Sequence, residues 1–415
     1  MTAAAKRARA APRPLTWAFL ALAGLCAAGM PAPAEAAGRS TEQFARTLAP
    51  VDRKLFEEYL SAKATHEFKS DAYWREVADK KALRRGKRSR GQTVTAGDYV
   101  TSFPPKYTGR ELPAALARRW AAYQAEGAGK KPAEPPKPLP GLAEFLAAAE
   151  AEYGFRPERI PEREFKVRYA REAVSLGLTA DQVVRVYALE TSGLGTADMV
   201  SGIHPIKKTG KPISSAIGYA QLLTANTTDE LAKHGQKFLA RLKAMSADRS
   251  LPPARRRALA DKHDKLAVMI KAARAIPQEW SRHVAFARTE RGMGIHAINL
   301  DGDIGPWLQV VKLQGLKQMA DKAGMGKLTG AEIELMNLAG PGTALEMMRP
   351  AAREAATANF FARDAYFRNT IVRDKSSAEL LVALDKRMDD NIVNPGAIEF
   401  AEAFREVSAE IASGR

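Results

Sequence analysis

Residues 180–193 read ADQVVRVYALETSG. Val183, Val184, Val186 and Leu189 make an apolar helix of this stretch, which stops where Thr191, Ser192 and Gly193 bring small residues and a glycine. Its last polar group before the stop is Glu190. A carboxyl at a helix C-terminus faces the unfavourable end of the dipole, and apolar neighbours strip its water. Both effects raise its pKa, which is what a general acid working near neutrality needs. A lone glutamate at a helix end is ordinarily a surface residue, so the reading depends on what surrounds it.

The surroundings are helical by pattern. LAEFLAAAEAEYG (142–154) and EFKVRYAREAVSLG (164–177) each run to a glycine, and helices are predicted over 228–248, 252–275, 277–289, 303–322, 352–368, 376–388 and 397–412. Phe360, Phe361, Tyr366 and Phe367 read as core. Upstream, Phe44, Leu48, Leu55, Tyr59 and Leu60 recur at helical steps within 40–85, and Leu112, Leu116, Trp120 and Tyr123 do so over 111–125. No segment of length alternates as a strand, and there is no internal repeat, so the expected class is all-α. Residues 126–141 (EGAGKKPAEPPKPLPG) hold five prolines and three glycines and read as a semi-rigid linker. It divides a basic N-terminal helical region (37–125) from a helical domain (142–415).

Composition narrows the function. One cysteine among 415 residues excludes a disulfide framework or multi-cysteine metal site, and the six histidines have no metal-ligand spacing. No metal and no cofactor is expected. Lys6, Arg7, Arg9 and Arg13 precede an apolar run from Leu15 to Met30, and Ala34-Glu35-Ala36 offers small residues at a cleavage position. Residues 1–36 therefore read as a secretory signal peptide whose apolar run is short of a membrane span, and the expected location is the periplasm. Leu25 before Cys26 is not the small residue a lipid-anchoring motif needs, so lipidation is not expected. Processing after residue 36 removes four positive charges and one negative, taking the formal charge from +17 to +14. An exported protein this basic is expected to meet peptidoglycan or an anionic envelope surface rather than nucleic acid. The run from Lys80 to Arg90 is its densest cationic stretch; it reads as a solvated loop that could touch such a polymer.

Two further signals follow Glu190. In Ala216-Ile217-Gly218-Tyr219-Ala220-Gln221-Leu222-Leu223, a glycine is read as opening a short helix, with Gln221 as the polar residue of an apolar turn. A buried amide needs partners, and a sugar hydroxyl or N-acetyl group can be one. In Leu335-Met336-Asn337-Leu338-Ala339-Gly340-Pro341-Gly342, a helix ends in a turn that brings Asn337 and backbone near whatever fills the cleft.

Together and in order, these residues resemble the soluble lytic transglycosylases. That family shows Glu-Ser-(Ser/Gly) at a helix end, then Gly-Leu-Met-Gln-Leu, then Tyr-Asn-Ala-Gly-Pro-Gly. Glu190-Thr191-Ser192-Gly193, Gly218-Tyr219-Ala220-Gln221-Leu222 and Ala339-Gly340-Pro341-Gly342 match in turn, and Asp301 to Leu308 looks like an intervening family helix. The resemblance covers about 170–350. It departs in spacing, with 31 positions from Glu190 to Gln221, the extra ones including GIHPIKKTGKP, expected at the cleft rim. A helical pair over 228–275 is a second insertion. Asn337 falls where the family has its tyrosine. The resemblance implies a lysozyme-like catalytic domain and cleavage of the β-1,4 bond between N-acetylmuramic acid and N-acetylglucosamine in peptidoglycan, with closure of a 1,6-anhydro ring. It implies Glu190 as the catalytic acid and base, and Ser192, Gly218, Tyr219, Gln221, Asn337 and Gly340 as substrate contacts. The alternatives are a muramidase on the same fold, whose second carboxylate is sought among Asp198, Asp301 and Asp303, or a peptidoglycan-binding scaffold without catalysis.

Overall fold

The computed structural model describes residues 41–127 and 138–414. Residues 1–36, read as a signal peptide, with Cys26 among them, and most of the proline-rich stretch lie outside the described residues. Among those described there are sixteen α-helices and no strand, only isolated bridges. The fold is all-α. No helix among the described residues is long and apolar enough to cross a membrane.

The N-terminal region holds α1 (Thr41–Arg46), α2 (Pro50–Ser89) and α3 (Ala114–Gly127). Phe44, Leu48, Phe56 and Leu116 close a small core among them, with Trp120 and Tyr123 packed alongside. At 1.5 Å per residue, the 40 residues of α2 extend about 60 Å, far beyond that core. Its distal half carries Ser70, Tyr73, Val77 and Arg84 on one stripe, all buried. Tyr73 and Val77 pack with Val100, Ala358 and Tyr366, which joins this half to the C-terminal part of the chain.

That docking changes the meaning of the basic run. Lys80–Arg90 is not a solvated loop. It continues α2, and several of its cations are engaged within the protein, Lys80 among them through the Tyr99 carbonyl at 2.8 Å. Arg84 is 1% exposed, pairs with Glu346 at 2.9 Å and donates to the carbonyls of Asp98 and Asn359. Lys87 pairs with Asp98 at 2.7 Å and Arg88 with Glu346 at 2.8 Å. Lys81 and Arg85 remain turned to solvent.

The larger body comprises α4 (Leu142–Tyr153), α5 (Glu162–Ser175), α6 (Ala180–Thr191), α7 (Thr224–Ala247), α8 (Pro253–Arg274), α9 (Trp280–Phe286), α10 (Glu290–His296), α11 (Ile304–Lys322), α12 (Gly330–Ala339), α13 (Pro341–Met347), α14 (Arg363–Arg368), α15 (Ser377–Ile392) and α16 (Pro395–Ala412). One buried cluster joins α5, α6, α12, α15 and α16, and a second joins α4, α7, α8 and α10. Helix α11 is the shared wall. Its Val310, Leu313 and Leu316 belong to the first cluster, while Ile304, Leu308 and Val311 belong to the second. A helix apolar on both sides must be central.

Two expected helices are absent. The segment predicted as a helix over 352–368 holds short 3-10 turns and α14 instead. Its backbone is used elsewhere: Ala356 N–H donates to Val100, and Thr357 N–H to Lys375, both at 2.9 Å. Of its aromatics, Tyr366 is buried, whereas Phe367 is 44% exposed. The stretch after Gly218 is a turn rather than a short helix. Gly218 (φ 77°) and Gln221 (φ 42°) both take left-handed backbone, and mutual hydrogen bonds between Ile217 and Leu222 close the turn before α7 begins.

His296 ties three of these pieces together. Its Nδ1 lies 2.8 Å from the Thr227 hydroxyl, and its Nε2 lies 2.7 Å from the Ser215 carbonyl, so the imidazole clamps α10 to α7 and to the segment leading into the turn. Burial drives its pKa down from 6.5 to about 3. The unfolded chain takes up this proton first, so the stabilisation is present above pH 6.5 and is lost as pH falls through that window. The loss amounts to on the order of 4 kcal/mol by pH 3. Urea midpoints should fall on acidification from pH 6.5, and His296→Gln should flatten that slope.

Candidate active site

Helix α6 ends as its sequence dictates. Ser192 caps it in the left-handed region (φ 55°), followed by Gly193 (φ 63°). A side chain on Gly193 would meet the Asn391 carbonyl at 2.2 Å, so the glycine is needed where the α15–α16 joint crosses the end of α6. The chain therefore turns away sharply and leaves Glu190 facing an open space.

That space is a cleft of about 390 Å³. Glu190, Gln221, Asn337 and Gly340, four of the residues singled out from the sequence, line it together. Glu334 and Asn337 lie one helical turn apart on α12 and so share a face. Asn337 Nδ2 donates to Glu190 Oε1 at 3.1 Å. Gly340 (φ 82°) makes the break between α12 and α13. Gln221 donates from Nε2 to the Gly218 carbonyl at 2.8 Å, which fixes its amide at the cleft wall. Ser201, Gly202 and Ser214 of the segment between α6 and α7 reach the cleft, as do Asn226 and Asp229 of α7.

Glu334 is the residue that sequence reasoning missed. It is 3% exposed, lines the same cleft as Glu190, and its carboxyl and that of Glu190 act on each other's protonation. Burial pushes Glu190 up to about 7, against the opposing pull of hydrogen bonds from Glu334 and Asn337 and the charge of Arg387. Burial, and then the charge of Glu190, push Glu334 well above the ordinary carboxylate range.

Three expected substrate contacts lie elsewhere. Ser192 is exposed behind the helix end, where its carbonyl accepts from Asn394 at 2.9 Å. Gly218 is buried beneath Gln309, whose amide a side chain there would meet at 2.6 Å. Tyr219 is core: its ring packs with Phe165, Tyr169, Tyr187 and Phe400, and its hydroxyl donates to Glu162. The left-handed residues on either side of Tyr219 and Ala220 turn Tyr219 inward and leave Gln221 at the cleft.

The carboxylates sought for a muramidase are also outside the cleft. Asp198 pairs with Arg159 at 2.9 Å. Asp301 and Asp303 are buried around Lys262, Asp303 also meeting Arg168 and Arg255 at 2.7 Å. This network fixes the start of α11 and leaves neither aspartate free for water activation.

The chain matches no protein-family model, no curated protein and no solved structure. The site is therefore read from its own chemistry: a cleft acid that is protonated near neutrality, oriented by an amide, with a second carboxyl in contact with it.

Proposed function

We propose that the protein is a lytic transglycosylase acting on peptidoglycan glycan strands in the periplasm. The observation that carries this reading is Glu190, buried enough to hold a proton near neutrality, opening on a cleft beside Asn337 and Gln221. Glycosidases that use two carboxylates separate them by about 5–9.5 Å to fit a sugar carbon or a water between. Glu190 and Glu334 line one cleft and shift each other's protonation, so they are read as a single proton-donating centre and not as such a pair. A reaction served by one acid–base group fits that centre.

In this reading Glu190 gives its proton to the bridging oxygen as the bond from the muramyl anomeric carbon breaks. The substrate's N-acetyl group stabilises the oxocarbenium-like carbon. The Glu190 carboxylate then takes the proton of the muramyl 6-hydroxyl, whose oxygen bonds to the anomeric carbon and closes the anhydro ring. Protons balance, and Glu190 ends as it began.

The acid form is the competent one. Glu190 is raised to about 7, so cleavage should hold below that pH and fall as pH rises through it. Turbidity loss of purified sacculi, followed across pH, measures this. A rate that climbs through pH 7 would contradict the assignment of Glu190 as acid, and folded protein that leaves sacculi intact at every pH would point to the non-catalytic scaffold. A muramidase reading rests on Asp229, the carboxylate that lines the cleft apart from the Glu190 pair, although it is engaged by Lys233.

A further inference from the structure

The two cleft carboxyls are not equivalent. Glu190 is partly open to the cleft and receives the Asn337 amide at 3.1 Å. Glu334 is deeper, its Oε2 has no hydrogen-bond partner, and among the described residues no cation lies within ion-pair distance of either carboxyl. Arg387, on α15, acts on both from farther away; Asp229 of α7 and Lys312 of α11 line the same cleft. Two carboxylates in contact cannot both ionise. Asn337 acts on both carboxyls, but its amide is placed on Glu190 at 3.1 Å, so charge settles on Glu190, which also opens to the cleft, and the proton stays with the deeper Glu334 with its unpartnered Oε2. An unpartnered buried oxygen is also far cheaper on a neutral acid than on an anion.

We infer that Glu334 stays protonated throughout turnover and donates its O–H to Glu190, acting as a neutral positioning residue that receives the charge Glu190 acquires. This rests on the lytic-transglycosylase reading of Glu190. As the Glu190 proton passes to the bridging oxygen, the Glu334 hydrogen bond becomes charge-assisted and strengthens. The Glu334 proton itself does not leave. The device makes Glu190 a better donor in the transition state while burial still keeps it protonated in the resting enzyme.

Substitution and titration separate this from a merely structural role. Glu334→Ala removes the donor, so sacculus cleavage should drop about 10- to 100-fold and the alkaline limb of the pH profile should move upward, because the Glu190 anion has lost a stabilising bond. Glu334→Gln restores a neutral donor and should bring the rate back to within about fivefold, with the limb near its wild-type position. If Glu334 were instead an anion at neutral pH, Glu334→Gln would delete a like charge and move the limb down by about a pH unit or more; that result overturns the proposal. Infrared titration of the carboxylic C=O band tests the same point without turnover, and without depending on whether the alanine variant folds. One protonated carboxyl should persist above the pH at which Glu190 ionises, survive in Glu190→Gln and vanish in Glu334→Gln. Loss of all carboxylic absorbance in one step would overturn it. Failure of the wild-type protein to cleave sacculi would instead remove the functional reading and leave the infrared result to decide the carboxyl pair.

Discussion

Glu190→Gln should stop sacculus cleavage while leaving the fold intact. Glutamine keeps the size of the side chain and can still meet Asn337 and Glu334, so the cleft wall is preserved. What is lost is the transferable proton. General acid–base groups contribute about 10²- to 10⁴-fold, and the loss is expected at or beyond the upper end because both half-reactions use this one residue. Removing a buried ionisable group with a raised pKa also has a stability signature. Glu190 contributes stability that is complete in the acid range and declines as pH rises from the ordinary carboxylate range through about 7. The glutamine protein should therefore keep its urea midpoint better than wild type between pH 5 and 8. Gln221→Ala should be milder than Glu190→Gln, because it removes an amide held at the cleft wall and no proton.

Arg84→Ala is expected to cost about 3 kcal/mol of stability, because it removes a buried guanidinium and leaves the half-buried Glu346 carboxylate with Arg88 alone. The guanidinium meets Glu346 of α13, the carbonyls of Asp98 and Asn359, and the face of the Tyr99 ring at 4.3 Å. Lysine cannot reproduce that fork, so Arg84→Lys should recover little. Chemical denaturation measures both. Arg85→Ala, on the solvent-exposed side of α2, is the control and should lie within about 0.5 kcal/mol of wild type. An Arg84→Ala protein as stable as that control would mean that α2 does not depend on this contact to dock.

The helices were legible wherever an apolar stripe had a stop signal. Helix α6 begins at the Thr179 cap and ends at Ser192–Gly193, close to where the pattern places it. Glu190 was readable for the same reason, being the polar residue that a buried helix end leaves over. The aromatic-rich segment around 352–368 misled because its small and aromatic residues satisfy helical spacing, while its backbone is committed to Val100 and Lys375, partners far away in sequence. Tyr219 and Gln221 sit two residues apart in one motif, yet one is core and the other faces the cleft; the left-handed turn that separates them leaves no periodic trace. Glu334 was not legible at all. In Glu332-Ile333-Glu334-Leu335, the first glutamate caps α12 and the second is buried against Glu190, and nothing local distinguishes two acids two residues apart. Asp301 and Asp303 failed in the opposite direction: sought as a water-activating carboxylate, both are buried against Lys262, and Asp303 also pairs with Arg168 and Arg255.

The most direct test of the proposed chemistry is mass spectrometry of the fragments released from purified sacculi by the wild-type protein, with Glu190→Gln in parallel. Intramolecular capture by the muramyl 6-hydroxyl leaves 1,6-anhydromuramyl ends, lighter by one water than hydrolysed ends and without a reducing terminus. Those ends, made by the wild type and absent with Glu190→Gln, are the expected result. Reducing muramyl ends would contradict it and direct attention to Asp229 as a water-activating base, and equal release by the Glu190→Gln protein would remove Glu190 from the reaction altogether.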